Sequence, residues 1–511
     1  MTLEESLHHH FGYASFRSGQ KEIILDVLSG NSVLGILPTG SGKSICYQLP
    51  AKMLNGTTIV VSPLISLMMD QIKQLKAMQF KEVVALNSFM GPIERKRVFR
   101  NLSQYKLIYL SPELLQSGEV IGRLRQLAID LFVVDEAHCI SQWGHEFRPD
   151  YLKLGDIIKE LNSPPVLALS ATATPQVQQD IISSLGKTGI HKHIYPMDRN
   201  NIAFCIEPVQ DDKEKQSHII RLLKEFRVPA LIYFSSRQAA EDTAKILSAS
   251  LEDRNIAFYH GGMEQSDRVA IQQQFMNEQL DVICCTSAFG MGINKNNIRL
   301  VIHYHLPGQM ESFIQEVGRA GRDGKSSVSV LLYGENDMFL PKRIAEKELP
   351  SEEELKAAAS ILKSLSQADR QLPTEDTEAE NLLQLTESQW RFLRFQLEKN
   401  GVLKDNTILF EKEKFYNSFL QIDAHRRERK ALKENKLKEM IHWIHTTECL
   451  RKHLYKSFQP SFSEAAYHCC SNCGFSFADW KPEEKRLKDT QRGAWEDRLK
   501  NLLLVGQDET K

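Results

Sequence analysis

Two doubly wound α/β lobes followed by a mostly helical, cysteine-bearing module is the architecture this sequence predicts. Three observations carry that expectation. From about residue 20 to 185, short β-branched runs alternate with stretches of helical length and polarity. The pattern restarts after Asp211, and beyond about 345 the strands fade while charge rises. At 511 residues the chain is also too long for one hydrophobic core.

In the first lobe, residues 32–37, 57–62, 107–111, 131–135 and 165–170 are near-continuous apolar runs, as expected of parallel strands covered on both faces. The second set falls at 230–234, 257–259, 282–286, 300–303 and 327–333, with the boundary near 198–216. His8-His9-His10 reads as the end of an exposed first helix. Residues 351–365 have amphipathic helical spacing, and 369–380 read as an acidic linker. Thr386 caps a helix over 387–399 that stops at Asn400-Gly401. Two short apolar runs then flank Lys404-Asp405-Asn406, a hairpin signal. Helices followed by a hairpin suggest a small winged helix, with a plain helical spacer as the alternative. The expected division is 1–197, 198–345, 346–412, 413–480 and a charged tail at 481–511.

Composition narrows the class. Apolar residues make up 42% and charged residues 25%, as in ordinary soluble globular proteins. Lys plus Arg (64) against Asp plus Glu (65) leaves a net charge of −1, so any nucleic-acid surface must be a local patch. No apolar run reaches the roughly 18 residues of a membrane span, and the acidic start Met1-Thr2-Leu3-Glu4-Glu5 has no secretory h-region. Nine cysteines without a signal peptide fit a reducing, cytoplasmic setting, nucleoid-associated in a bacterium.

Chemistry is concentrated at four places. The first strand runs into Thr39-Gly40-Ser41-Gly42-Lys43-Ser44, where glycines let backbone N–H groups turn toward phosphate oxygens at a helix N-terminus. Lys43 is placed to reach the β- and γ-phosphates of ATP, and Ser44 to ligate Mg²⁺. Leu37 occupies the position of the usual first glycine. The apolar strand Leu131-Phe132-Val133-Val134 ends in Asp135-Glu136-Ala137-His138, the expected second half of such an ATPase. Asp135 would hold Mg²⁺, and Glu136 would orient and deprotonate the attacking water. In the second lobe, Arg319 and Arg322 are three residues apart, on one face if helical, and suit a transferring γ-phosphoryl group.

Around these residues the chain resembles the RecQ-type members of the superfamily 2 helicases, nearly continuously from Phe11 to about Tyr333. The resemblance implies RecA-like lobes. It also implies that Tyr13 and Arg17 pack around adenine while Gln20 reads its edge, and that Gln315 joins the two arginines. Val61-Ser62-Pro63-Leu64-Ile65-Ser66-Leu67-Met68-Met69-Asp70-Gln71 resembles the family's first DNA-contact motif, giving Ser62, Met69 and Gln71 as contacts. Ser170-Ala171-Thr172 resembles the segment linking ATP state to lobe motion, and Thr286 is a further implied contact in the second lobe.

Cys139-Ile140-Ser141-Gln142-Trp143-Gly144-His145-Glu146-Phe147-Arg148 resembles the aromatic-rich loop that touches single-stranded DNA. Trp143 and Phe147 offer stacking faces worth about 1–3 kcal/mol per base, and Arg148 can meet phosphate.

Cys449, Cys469, Cys470 and Cys473 supply four thiolates for a closed, structural Zn²⁺ site. Cys469 is the expected fourth ligand and His468 its substitute. The stretch 426–440 holds seven Lys or Arg against three Glu, which fits either a phosphate-tracking helix or a solvated one laced with ion pairs.

The residues from Gly474 to Lys511 are too few for the winged helix and further helical domain that many relatives carry, so a short form is expected. Region 351–412 is then the candidate replacement wing. The resemblance implies an ATP-driven 3′→5′ helicase on single-stranded, duplex and forked DNA, working with single-stranded-DNA-binding protein and other repair factors. An RNA-dependent ATPase and a nucleic-acid-binding scaffold with a weak motor are the alternatives.

Overall fold

A computed structural model describes residues 2–87, 90–141, 148–290, 295–459 and 462–483. The first sheet has seven strands: β1 (Val33–Ile36), β2 (Thr57–Val61), β3 (Val83–Leu86), β4 (Leu107–Leu110), β5 (Ile129–Val134), β6 (Val166–Ser170) and β7 (His191–Ile194). All pair in parallel, in the order β3-β4-β2-β5-β6-β1-β7. Strands β1, β2 and β6 are buried along their whole length, which is why they read as near-continuous apolar or β-branched runs. Only β6 separates β1 from β5, so the loops leaving the carboxyl ends of those two strands open on the same crevice.

The second sheet contains β8 (Ile202–Pro208), β9 (Ala230–Tyr233), β10 (Ile256–Tyr259), β11 (Val282–Cys285), β12 (Leu300–His303) and β13 (Ser327–Tyr333), again all parallel, in the order β10-β11-β9-β12-β13-β8. The chain crosses between sheets in the segment from Ile194 to Ile202. Three strands, β3, β7 and β8, were not expected. Strand β7, His-Lys-His-Ile, is an exposed edge with no apolar alternation to betray it.

Beyond lobe 2, helices Glu352–Gln367, Asp376–Leu383 and Glu387–Lys399 are followed by the antiparallel hairpin β14 (Leu403–Lys404) and β15 (Thr407–Ile408). Ser351 and Thr386 close capping boxes with Glu354 and Gln389. The second helix begins inside the stretch expected to be linker, because Asp376 accepts from Trp390 Nε1 (2.8 Å) and Arg394 Nη1 (2.6 Å). This unit has its own core around Leu362, Leu383, Trp390 and Leu393, which also takes in Phe415 and Ile422.

Those two side chains belong to the 33-residue helix Lys412–Ile444, about 50 Å long. Of its basic residues, Arg426 and Arg427 are held by Asp423, Lys433 by Glu348 and Lys436 by Glu311. The helix is therefore laced by ion pairs, and Lys436 ties it to lobe 2. Past it, helix Leu450–Tyr455 and the cysteine segment pack on lobe 2, where Phe204 pairs with Cys470 as an isolated parallel bridge. Among the described residues, no helix is long and apolar enough to cross a membrane.

Candidate active site

The loop at 39–44 leaves β1 at the crevice. Leu37 continues the strand ladder, its N–H donating to Ser170 O (3.1 Å), and its side chain is fully buried. The missing first glycine thus follows from geometry: that position, directly after β1, still bonds to β6. Close approach is supplied instead by Gly19, where a Cβ would collide with Leu37 and Tyr195. Gly40 and Gly42 take φ of +79° and +76°, which few side-chain-bearing residues tolerate. Gln20 Nε2 donates to Ser41 O (2.8 Å) and Gly42 O (3.1 Å), and Arg17 Nη1 to Gly40 O (2.5 Å). Arg17 and Gln20 therefore brace the loop, in addition to facing the cleft. Ser44 is the N-cap of helix Ile45–Met53, yet its hydroxyl makes no capping bond and stays available. The Ser41 hydroxyl is buried without a hydrogen bond.

Asp135 and Glu136 follow β5. Burial and the adjacent Glu136 carboxylate raise the Asp135 pKa, against the pull of Lys43. Glu136 has φ +48°, a strained conformation for a non-glycine residue. Its Oε2 is buried and accepts no hydrogen bond among the described residues, with His138 Nδ1 3.4 Å away. Ser44 and Glu136 line the same cavity, and with the buried Asp135 carboxylate they offer oxygen donors of the kind Mg²⁺ takes.

Lobe 2 supplies the other wall. Gln315 lies on helix Met310–Val317, but Arg319 and Arg322 do not share a helical face as expected: the helix ends at Val317 and both arginines sit in the turn beyond it. The reason is steric. A Cβ on Gly318 would collide with the Thr39 hydroxyl, and Gly321 takes a positive φ (52°) against Asn201 and Ser327. Arg319 donates to Gly290 O. Burial, with Arg319 and Arg199 alongside, pulls the Arg322 pKa down to about 9. Concentrated, desolvated guanidinium charge of this kind is stabilised by a polyanion.

The resulting cavity is about 340 Å³. It gathers Tyr13, Arg17, Gln20, Thr39, Gly40, Gly42, Lys43, Ser44 and Glu136 from lobe 1 with Gln315, Arg319 and Arg322 from lobe 2. Tyr13 is 51% exposed at its rim.

The expected DNA contacts are not brought together in the same way. Trp143 and Phe147 lie outside the described residues. Met69 is 49% exposed, but Gln71 lines the interlobe cavity, where it accepts from Gln48 Nε2 (2.7 Å). Two residues apart on helix Ile65–Ala77, they face different ways. Ser62, directly after β2, is 1% exposed, so its side chain faces the protein interior. Arg148 is half-exposed and 3.7 Å from Glu113. Thr286, half-buried, follows β11 and donates its N–H to Tyr259 O (3.1 Å).

The four cysteine sulfurs converge, all within 4.8 Å of one another, with Cys449 Sγ 3.5 Å from Cys469 Sγ. Cys473 N and Phe475 N both donate to Cys470 O, forming the knuckle turn that Gly474 completes at φ +88°. His468 instead packs against the Phe475 ring. Sequence reasoning also passed over Gln48, which lines the cavity, and Arg199 in the interlobe segment, which donates to Thr39 O (3.0 Å). Neither belongs to a motif.

Comparison with known proteins agrees with this geometry. The DEAD/DEAH box helicase family matches residues 17–181, and the helicase conserved C-terminal domain matches 214–324. A probable ATP-dependent DNA helicase of Bacillus subtilis, RecS, is 42% identical over 505 residues, 98% of this chain and 98% of its own length. The ATP-dependent DNA helicase RecQ of Haemophilus influenzae is 41% identical over 66% of this chain, which spans only 54% of that relative. Among solved structures, the Mycobacterium smegmatis helicase Lhr, bound to single-stranded DNA and AMP-PNP, superposes with a TM-score of 0.57 at 19% identity, covering 83% of this chain and 62% of its own. The DEAD-box helicase Mss116, bound to single-stranded RNA, gives 0.57 at 16% identity over 89% of each chain. Those two likenesses concern the fold.

Proposed function

This chain belongs to the RecQ-type ATP-dependent DNA helicases, and from that premise we propose that ATP closes the cavity between its lobes and that the closure drives it 3′→5′ along single-stranded DNA, separating the duplex ahead. The observation that carries the reading is the convergence on one cavity of the 39–44 loop, Glu136, Arg319 and Arg322 from two lobes. A site split this way makes nucleotide binding and lobe movement one event.

In this reading the backbone of the loop and Lys43 hold the phosphates, Tyr13 and Arg17 hold the base, and Arg319 and Arg322 meet the charge that develops on the transferred phosphoryl group. Ser44 and Asp135 would hold Mg²⁺, which would neutralise phosphate charge when bound. Glu136, its Oε2 committed to no hydrogen bond, orients water in line with the γ-phosphorus and accepts its proton. Hydrolysis removes the anion that kept the arginines against the loop, and the lobes part.

The four thiols hold a structural Zn²⁺; the supporting facts are the convergence of their sulfurs and a set that leaves no position open for chemistry. The unit at 346–412 acts as the strand-separating wing. Supporting this are its helix order, its hairpin, and Glu398 lying 3.7 Å from Lys153 of lobe 1.

The decisive experiment compares ATP turnover with single-stranded DNA, with RNA and with neither, in the full chain and in Lys43→Ala. DNA should stimulate far more than RNA, and Lys43→Ala should lose about a hundredfold or more in kcat. Turnover intact in Lys43→Ala, or RNA superior to DNA, overturns the reading. Duplexes with 3′ or 5′ tails read the polarity.

A further inference from the structure

The segment joining the lobes is gripped from two sides. On one side stands Arg199, whose guanidinium addresses both lobes at once. Nη1 donates to Thr39 O (3.0 Å) in the phosphate loop and reaches Gly318 O (3.4 Å), while Nη2 donates to Ala320 O (3.3 Å) and Gly321 O (2.5 Å) in the turn that carries Arg319 and Arg322. These bonds coexist only while loop and turn are together. A planar fork spreads its donors over carbonyls on two bodies; the three donors of an ammonium radiate from one atom on a flexible stem and span less.

On the other side stands the cysteine module. Arg451, 2% exposed and two residues beyond Cys449, donates to Asp198 Oδ1 (2.5 Å), to Arg199 O (2.9 Å) and to Ile202 O. Gln459 Oε1 accepts from the N–H groups of Met197 (2.7 Å) and Asp198 (3.1 Å). Ala466 N–H donates to Asn200 O (2.8 Å), and Phe204 N–H to Cys469 O (3.1 Å). The backbone from which Arg199 projects is therefore fixed by a part of the chain more than 250 residues away.

We infer that Arg199 is a positioning residue for ATP hydrolysis, holding the arginine-bearing turn against the phosphate loop, and that the cysteine module sets its place through Arg451 and Gln459. The module then does more than cap lobe 2: its order is felt at the ATP site through the hinge. The inference rests on the ATP site proposed above.

The test uses the full chain with Mg²⁺-ATP and single-stranded DNA. Arg199→Ala should lower kcat about tenfold or more while changing the KM for ATP by less than about threefold, since no contact to nucleotide is removed. Arg199→Lys should remain close to Arg199→Ala. Gln459→Leu and Arg451→Lys, which keep the module's bulk, should lower kcat in the same sense, and adding either to Arg199→Ala should cost nothing more. An unchanged kcat in Arg199→Ala, a loss confined to KM, or losses that multiply in the double variants overturns the inference. Lys43→Ala separates the two failures. If it abolishes turnover while Arg199→Ala does not, the relay alone is wrong; if it does not, the ATP site itself is misread.

Discussion

His138 Nδ1 lies 2.9 Å from the Ser170 hydroxyl, so the motif that ends β5 is tied directly to the motif that ends β6. His138 is fully buried, with Glu136 Oε2 3.4 Å from the same nitrogen. The imidazole stands between Glu136 and the Ser-Ala-Thr segment. Ser170→Ala should leave DNA-stimulated ATP hydrolysis within about threefold and lower unwinding by about tenfold or more. Parallel ATPase and strand-separation assays on one preparation read the ratio, and equal losses in both would refute the link.

Metal content is a second point of contact with experiment. The purified chain should carry close to one equivalent of zinc. Cys473 is the exposed corner of the cluster, so a strong chelator should extract the ion there. Removal should lower the melting temperature by more than about 5 °C, because structural-site binding energy is folding energy. Cys470→Ser should do the same without chelator. A metal-free protein of unchanged Tm would dismiss the site.

Trp390 fills the core of the unit at 346–412 and donates to Asp376. Trp390→Ala should cost that unit about 3–5 kcal/mol and melt it ahead of the lobes. ATP hydrolysis should survive, while base pairs opened per ATP should fall several-fold. An unchanged ratio would remove the wing from the mechanism.

His305 follows β12 and accepts from Ser235 N–H (3.1 Å). Burial, aided by Lys215, holds its pKa down at about 4, against an ordinary 6.5. Between those values the unfolded chain binds a proton that the folded chain refuses, so stability is full above about 6.5 and falls as pH drops toward 4. His305→Gln keeps an acceptor without the titration. Its melting temperature should therefore decline less than the parent's between neutral pH and pH of about 5. Parallel declines would show that His305 is not the group responsible.

The parts of the molecule legible in sequence are those written in one stretch. Strands such as β2 and β6 show as near-continuous apolar or β-branched runs because both faces are covered, and Thr386 announces its helix by its own chemistry. What could not be read depends on distant backbone. Strand β7 exists because β1 has an open edge, and its own residues carry no apolar signal. Arg199 looks like any surface arginine until Thr39 and Gly321, 160 and 122 positions away, present their carbonyls. Gln71 sits in a motif whose family role is DNA contact, yet the turn of its helix directs it to Gln48. The helix that was expected to carry Arg319 and Arg322 stops early because its last residues must meet another lobe.

That meeting point, Gly318 against the Thr39 hydroxyl, leaves no room for a Cβ. A gap closed to less than one methyl group behaves as a latch: it engages fully or is held ajar. A single added carbon at Gly318 is then a doorstop, separating grip on the track from turnover. At this contact between the lobes the fit is set by one missing side chain as much as by the charge of those that are present.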